Sequence, residues 1–469
     1  MLTRITAGTS GFRGRTNTEI TPAHALAIGE RYGAMLRHRL SRAPKVTVGH
    51  DQRFGAQMLA EAVAAGFMAS GAKVVMLGCV PTGVYCVGSM GFDGGVLVTG
   101  SHMPPDRIGI IPMNADGSYA TSEVTDPLTD AVVGYPEERS TVPWGHLGKL
   151  VRAPDEKLVE RYLDVARSRL GIRRAPKRGT STLRVLIDPG NGTAGDTAVR
   201  FLRVLGYDVK AIHLDPKPVP DRPSECRASS CTRAIDMMRA GEFDLGACFD
   251  GDADRVLFIA HDGTPLPEDL IGGIFAKAVL HRGDVCVTPI NSGNLIEVVC
   301  RGSGATVQYC RIGQPDTGRA IKEFGAAYAY EASAKYGFPR EFLWYDAIYA
   351  VAKMLGIMER RGKSLAELAD ELPTFHRVDR NIPLDAARRD EVVARALSTA
   401  RDVFGGLALR VDDIDGLRFT FDDDSWVLLR PSGTEPLARV YADAPNHERA
   451  ESLAAEGERI FHEAMAMAA

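Results

Sequence analysis

Short β-branched strands alternate with amphipathic helical runs from the N-terminus to about Leu372, and this alternation constrains the fold more than any other feature. Thr21-Pro22 offers an N-cap with proline at the first helical position, and the amphipathic run Ala23–Leu40 follows. Lys45–Asp51, Ala72–Leu77 and Gly95–Thr99 read as strands, with a helix over Ala56–Ser70. Such a pattern predicts a mostly parallel sheet with helices on both faces. A second α/β unit follows, with strands over Leu183–Asp188, Tyr207–Leu214 and Asp244–Phe249 and a turn and helix over Gly190–Leu205. A third includes Asp284–Pro289, the helix Ser292–Arg301 and Ala327–Tyr330.

From Pro373 the pattern changes. Arg410–Asp412, Gly416–Phe421, Trp426–Leu429 and Leu437–Ala442 are short strands around turns, and a helix over His447–Met467 closes the chain. The expected fold class is therefore α/β, with three similar α/β domains at 1–150, 151–255 and 256–372 and a C-terminal α+β domain at 373–469. Gly134–Val142 and Lys177–Thr182 are the linker candidates. A length of 469 residues accommodates three or four domains.

Several function classes drop out on composition. A net charge of −4 gives no field that would gather nucleic acid or an anionic membrane. No apolar run approaches the ~18 residues needed to span a bilayer, and MLTRITAGTSGFRG has no apolar signal-peptide core. The eight cysteines are scattered with no CxxC pair, which points to reduced, mostly core thiols and a cytoplasmic location.

Four loops carry candidate chemistry. Asp250-Gly-Asp252-Ala-Asp254-Arg255 places three carboxylates at alternating positions after a strand, where they can converge on one hard cation. An EF-hand is excluded, since Arg255 and His261 stand where that loop needs Gly and Glu. A solvated acidic turn fits poorly between the apolar runs DLGACF and VLFIA, which place the loop at the ligand-binding edge of a sheet. Thr99-Gly-Ser101-His102-Met-Pro-Pro105 projects a serine hydroxyl from a stiff loop, although an ordinary turn has the same composition. No G-x-S-x-G elbow surrounds Ser101, against a hydrolase triad. Arg430-Pro-Ser432-Gly433-Thr434-Glu-Pro436 combines a guanidinium, two hydroxyls and backbone N–H groups into an anion nest, or joins two strands as a β-turn. Glu331-Ala-Ser333-Ala-Lys335 offers partners for sugar hydroxyls, but alone reads as a surface loop. Gly190-Asn-Gly192-Thr-Ala-Gly195, with Asp215 ending the next strand, matches a dinucleotide fingerprint. That makes a nicotinamide-dependent oxidoreductase the competing enzyme class, though Asp188-Pro189 is untypical and the other loops would go unexplained.

Taken in order, the loops resemble those of the α-D-phosphohexomutase superfamily, the phosphoglucomutase and phosphomannomutase enzymes. Thr9-Ser-Gly-Phe-Arg13-Gly14 looks like its N-terminal signature, and Thr99–Pro104, Asp250–Arg255, Glu331–Lys335 and Arg430–Pro436 look like its phosphoserine, metal, sugar and phosphate loops. The resemblance implies a four-domain heart-shaped architecture and an isomerase that interconverts the 1- and 6-phosphates of a mannose- or glucose-type sugar through phosphoserine and a bisphosphate. It implies that Ser101 carries the phosphoryl group, with one Mg²⁺ per chain held by Ser101, Asp250, Asp252 and Asp254. Arg13 and His102 would flank the reacting phosphoryl. Glu331 and Ser333 would grip the sugar, and Arg430, Ser432, Gly433 and Thr434 its distal phosphate, with Arg255, Gly313 and Gln314 also on the substrate. A bisphosphorylated sugar would act as activator. A sugar phosphate is the only partner implied, without nucleic acid or membrane, in a monomer or homodimer.

Departures from the family pattern leave the substrate open. Met103 replaces an asparagine, Ile111 stands where a lysine is usual, and Lys335 replaces a histidine. Isoleucine moves no proton, so proton transfer falls to Lys335, Arg13 or His102, with Lys335 serving as base if burial or a neighbouring cation lowers its pKa. Gln314 and Gly318 occupy places where mannose and glucose enzymes carry His and Lys. A phosphoglucosamine mutase, or a mutase for an unusual sugar or cyclitol phosphate, is the alternative. A non-catalytic sugar-phosphate binder is a distant one, since it would not need the aspartate triad.

Overall fold

The computed structural model describes residues 2–8, 10–172, 181–432 and 436–468. They form two compact units, Met1–Leu266 with Ser333–Leu368, and Pro267–Ala332 with Ala369–Ala469.

The first unit holds two sheets. The larger has seven strands in the order Ala7–Gly8, Gly11–Arg15, Arg107–Asn114, Gly94–Val98, Lys45–His50, Lys73–Cys79, Leu150–Arg152. Its last four strands run parallel, as the helix–strand alternation predicts. The others are antiparallel, which corrects the expectation of a mostly parallel sheet. The reason is local: Arg107–Asn114 returns directly from the serine loop as a hairpin partner of Gly94–Val98, so no crossover helix intervenes. Along the strands, Val46, Val48, Val96, Val98, Ile108 and Ile110 point into one core with the helices Pro22–Leu40 and Ala56–Ala69. Pro22 starts the first of these helices, and the Thr21 N–H donates to His24 Nδ1 (3.1 Å), satisfying the N-cap backbone. The linker candidate Gly134–Val142 is packed instead of free: Arg139 and the Ser140 N–H both bond the buried Glu30, because that carboxylate needs partners away from water.

The second sheet has the order Val256–Ala260, Leu245–Phe249, Arg184–Asp188, Asp208–Ala211. Val256–Ala260 pairs antiparallel with Leu245–Phe249 across the aspartate loop. The boundary expected after Arg255 therefore falls inside a hairpin, and the second domain extends through its second strand. Likewise the boundary expected at 150/151 falls within Leu150–Arg152, the edge strand of the first sheet.

In the second unit Thr306–Cys310, Val285–Pro289 and Tyr328–Glu331 pair in parallel. A five-stranded antiparallel sheet follows, ordered His376–Pro383, Leu437–Ala444, Trp426–Pro431, Leu417–Thr420, Arg410–Asp412, with Arg389–Phe404 and His447–Ala468 contributing to its core. The two layers are joined by Arg418, fully buried between the rings of Trp426 (4.1 Å) and Tyr309 (4.4 Å). Its Nη1 donates to the carbonyls of Ile290 (2.7 Å) and Ser292 (2.9 Å). All eight cysteines are free thiols and all but Cys79 are buried. Among the described residues no helix is long and apolar enough to cross a membrane.

Candidate active site

Ser101 sits on the turn that links Gly94–Val98 to Arg107–Asn114. It is buried and holds φ +46°, a left-handed conformation that a non-glycine residue keeps only when its surroundings impose it. Arg53 imposes it. This buried guanidinium donates to three carbonyls of the loop, Ser101 (2.5 Å), Pro104 (2.6 Å) and Arg107 (2.9 Å). Asp51 completes the clamp: it pairs with Arg53 Nε (3.3 Å) and accepts the Gly100 N–H (2.8 Å). A Cβ on Gly100 would lie 2.2 Å from Arg53 Nη1, so only glycine admits the clamp. The sequence reading missed Asp51 and Arg53. The available signal was polar residues just past the strand Lys45–His50, at the carboxyl edge where α/β sheets bind ligands.

The clamp aims the serine at the aspartate loop. Ser101 Oγ donates to Asp250 Oδ2 (2.8 Å). Oxygens of Asp250, Asp252 and Asp254 lie within 4.8 Å of one another, and all three residues are buried. Burial, followed by the neighbouring carboxylates, pushes Asp250 up to about 6 and raises Asp252. Three crowded carboxyls out of water call for a cation. Asp252 Oδ1 is buried with no hydrogen-bond partner among the described residues. An unused hard oxygen in an all-oxygen set is what a divalent metal needs, so these residues fit one.

The loop's backbone is braced by the first N–H groups of two helices. Thr82 N–H donates to Asp252 O (2.9 Å) and Ala347 N–H to Ala253 O (3.1 Å), at the starts of Thr82–Ser89 and Ala347–Arg361. Gly251 O accepts from Thr193 N–H (3.0 Å). A Cβ on Gly251 would lie 2.6 Å from Ser101 O, so glycine lets the two loops touch.

Cations surround this centre. Lys335 is buried and its Nζ pairs with Asp254 Oδ2 (2.9 Å). Burial opposes the Asp254 charge, but Lys335 and Arg255 outweigh it and hold the carboxyl at about 2. Val256 N–H donates to Ala334 O (3.1 Å), which fixes Lys335 beside the loop. His102 Nδ1 lies 3.3 Å from Ser101 Oγ. Burial, then Arg255, Arg13 and Lys335, press His102 down to about 2, so the imidazole is neutral. Arg13, paired in register with Gly109 beside the serine loop, is lowered from its ordinary value by burial. Ser333 Oγ is buried and has no hydrogen-bond partner among the described residues. The structure thus brings together Arg13, Ser101, His102, the three aspartates, Arg255 and Lys335 in the first unit.

The second unit carries the remaining candidates. Glu331 ends its strand with Oε2 buried and without a hydrogen-bond partner among the described residues. Gly313, at φ +138°, precedes the helix Gln314–Phe324, and Gln314 is buried. Arg430 and Ser432 are buried at the end of Trp426–Pro431. Arg389 Nη2 donates to Ser432 O. Gly433 and Thr434 lie outside the described residues.

The glycine-rich fingerprint has another use. Its space is taken by Arg222, whose guanidinium would lie 2.6 Å from a Cβ on Gly190 and which donates to Asp188 Oδ2 (3.0 Å) and Phe249 O (2.8 Å). A Cβ on Gly192 would meet Gly251 O at 2.6 Å. The motif packs closely on Arg222 at Gly190 and on the aspartate loop at Gly192. Asp188 also gathers Cys231 and Cys248, but its carboxylate already serves Arg222 and His213.

Comparison with known proteins decides the family. Models of phosphoglucomutase/phosphomannomutase α/β/α domains I, II and III match residues 4–138, 160–263 and 267–375, and the C-terminal domain model matches 380–459. A phosphoglucomutase/phosphomannomutase of Thermococcus kodakarensis is 30% identical over 463 residues, covering 98% of both chains. The chain belongs to the phosphoglucomutase/phosphomannomutase family. A probable phosphoglucosamine mutase of Pyrococcus abyssi is also 30% identical, over 470 residues and 98% of both chains. The fold agrees with that of a phosphoglucomutase/phosphomannomutase family protein from Burkholderia thailandensis, at TM-score 0.85 and 23% identity over 99% of this chain and 98% of that one. As a phosphoglucomutase/phosphomannomutase family member the chain is an isomerase, an intramolecular phosphotransferase of the phosphohexomutase class.

Proposed function

We propose that the protein interconverts the 1- and 6-phosphates of a glucose- or mannose-type sugar, with Ser101 as the phosphoryl carrier. The observation that carries this is the Ser101 hydroxyl, buried, held in a left-handed turn and bonded to Asp250 within a carboxylate triad that has an unused oxygen. The all-oxygen set suits Mg²⁺, which would draw charge from the equatorial oxygens of the transferring group when bound by Asp250, Asp252, Asp254 and phosphorylated Ser101.

The chain's own residues do the rest. Arg53 and Asp51 fix the serine backbone for in-line transfer. Arg13 and Arg255 add positive charge beside the phosphoryl group. Neutral His102, its Nδ1 3.3 Å from Ser101 Oγ, lies beside the serine hydroxyl when the group has left. Lys335, held on Asp254, supplies charge at the same place. Glu331 and Ser333, with buried oxygens awaiting partners, take sugar hydroxyls. Arg430, Ser432, Gly433 and Thr434 hold the non-reacting phosphate, and the Gly313–Gln314 turn borders the sugar. The sugar bisphosphate formed turns end for end before returning its other phosphoryl to Ser101, and in catalytic amounts it charges the serine as activator.

A glucosamine phosphate is the second substrate reading, favoured by the name of the Pyrococcus abyssi relative. A panel of hexose, hexosamine, pentose and cyclitol phosphates, followed by ³¹P NMR with Mg²⁺ and trace glucose 1,6-bisphosphate, tests both. Conversion of glucose or mannose 1-phosphate faster than all others supports the first reading, and preference for glucosamine phosphate replaces it.

A further inference from the structure

Asp415 is absent from the expected site, yet its carboxylate reaches two segments assigned to substrate. It lies in the turn between Arg410–Asp412 and Leu417–Thr420. Asp415 Oδ2 pairs with Arg430 Nε at 3.0 Å and accepts the Ile312 N–H at 3.2 Å. Ile312 directly precedes the Gly313–Gln314 turn. Both charged side chains are largely out of solvent, Arg430 8% exposed and Asp415 12%, so the pair is weakly screened.

The backbone is shaped to make this contact. Gly416 holds φ +92°, which other residues rarely adopt, and a Cβ there would lie 2.4 Å from Leu429 O and 3.0 Å from Arg430 Cα. The turn is thus pressed against the base of the Arg430 side chain. Arg430 Nε makes no hydrogen bond among the described residues, so Asp415 acts on the planar guanidinium by its charge at 3.0 Å, and an oxyanion would be met by the terminal nitrogens.

We propose that Asp415 is a positioning residue for substrate binding. It orients Arg430 toward the non-reacting phosphate and ties the phosphate loop to the 311–314 turn through one oxygen, so that phosphate grip and sugar contact are set together. This rests on the reading of Arg430 as phosphate anchor.

The test is steady-state kinetics of D415N, R430M and the double variant on glucose 1-phosphate or mannose 1-phosphate, whichever turns over faster. Asparagine keeps an acceptor for Ile312 but loses the charge on Arg430. The expected result for D415N is a KM raised about tenfold with kcat within about twofold, and no further rise when added to R430M. G416A, which pushes the turn away with Asp415 intact, raises KM in the same way and serves if D415N does not fold. An unchanged KM in D415N or G416A, beside a raised KM in R430M, overturns the positioning role and leaves the anchor standing. An unchanged KM in R430M overturns the anchor itself. A fall in kcat at constant KM in D415N also overturns the proposal, since it would place Asp415 in the transfer step.

Discussion

The serine-and-aspartate centre and the Arg430 end are held in different ways. Around Ser101 the bracing is dense and mostly backbone-directed: three carbonyls on Arg53, helix N–H groups on Asp252 and Ala253, and a glycine that lets Gly251 touch Ser101. Around Arg430 the described contacts include two charged side chains, Asp415 beside the guanidinium and Arg389 on the Ser432 carbonyl. Phosphoryl transfer needs atoms fixed to a fraction of an ångström, which a multiply bonded backbone provides. The proposed phosphate grip at Arg430, which would release and rebind a turning intermediate, is better served by charged side chains. The comparison predicts that damage at the first region appears in kcat and at the second in KM.

The largest expected effect is S101A, which removes the proposed acceptor of the phosphoryl group and should lower kcat by about 10³-fold or more. Measurable turnover within tenfold of the parent would break the comparison at its root. D252N comes next. It removes the charge of the carboxylate with the unused oxygen, and about a 10²-fold loss in kcat should accompany weaker Mg²⁺ binding by calorimetry. R53M sharpens the contrast: with the carbonyl clamp gone, kcat should fall about tenfold while KM stays within about twofold. A KM effect larger than the kcat effect would show that Arg53 belongs with the binding residues.

The smallest effect concerns stability, with one buried carboxyl in each region. Burial raises Asp346, the cap of Ala347–Arg361, and Asp443, which accepts the Asn294 N–H, to about 6 each. An unfolded aspartate titrates near about 3.9. Below that value both states are protonated and stability is full. Between about pH 4 and 6 the unfolded chain ionises first, so stability is lost as pH rises, by on the order of 1–3 kcal/mol per group. Urea unfolding of D346N and D443N across this window should show a flatter pH dependence than the parent.

Much of this was legible locally. Strand ends, the Pro22 helix start and the clustered carboxylates of the DGDADR loop follow from residue type and period, because each is decided within a few residues. Arg107–Asn114 was not, since Gly109 and Pro112 break the strand pattern and its pairing comes from the hairpin with Gly94–Val98. Nor were Arg53, Asp51 and Asp415, whose partners are remote in the chain: Arg53 reaches Ser101, and Asp415 reaches Ile312. The Gly190 fingerprint misled because a glycine required for close packing against Arg222 looks the same in sequence as one required for a pyrophosphate. Lys335 was one of three candidates for proton transfer, with Arg13 and His102, and its ion pair with Asp254 is a contact that no local pattern shows.

The most direct measurement is intact-protein and peptide mass spectrometry of the enzyme incubated with glucose 1,6-bisphosphate and Mg²⁺, before and after excess sugar monophosphate. The account predicts one phosphoryl group per chain, on residue 101 alone, that is discharged to the sugar. A stable label on any other side chain, or full turnover by a protein never labelled there, would contradict it.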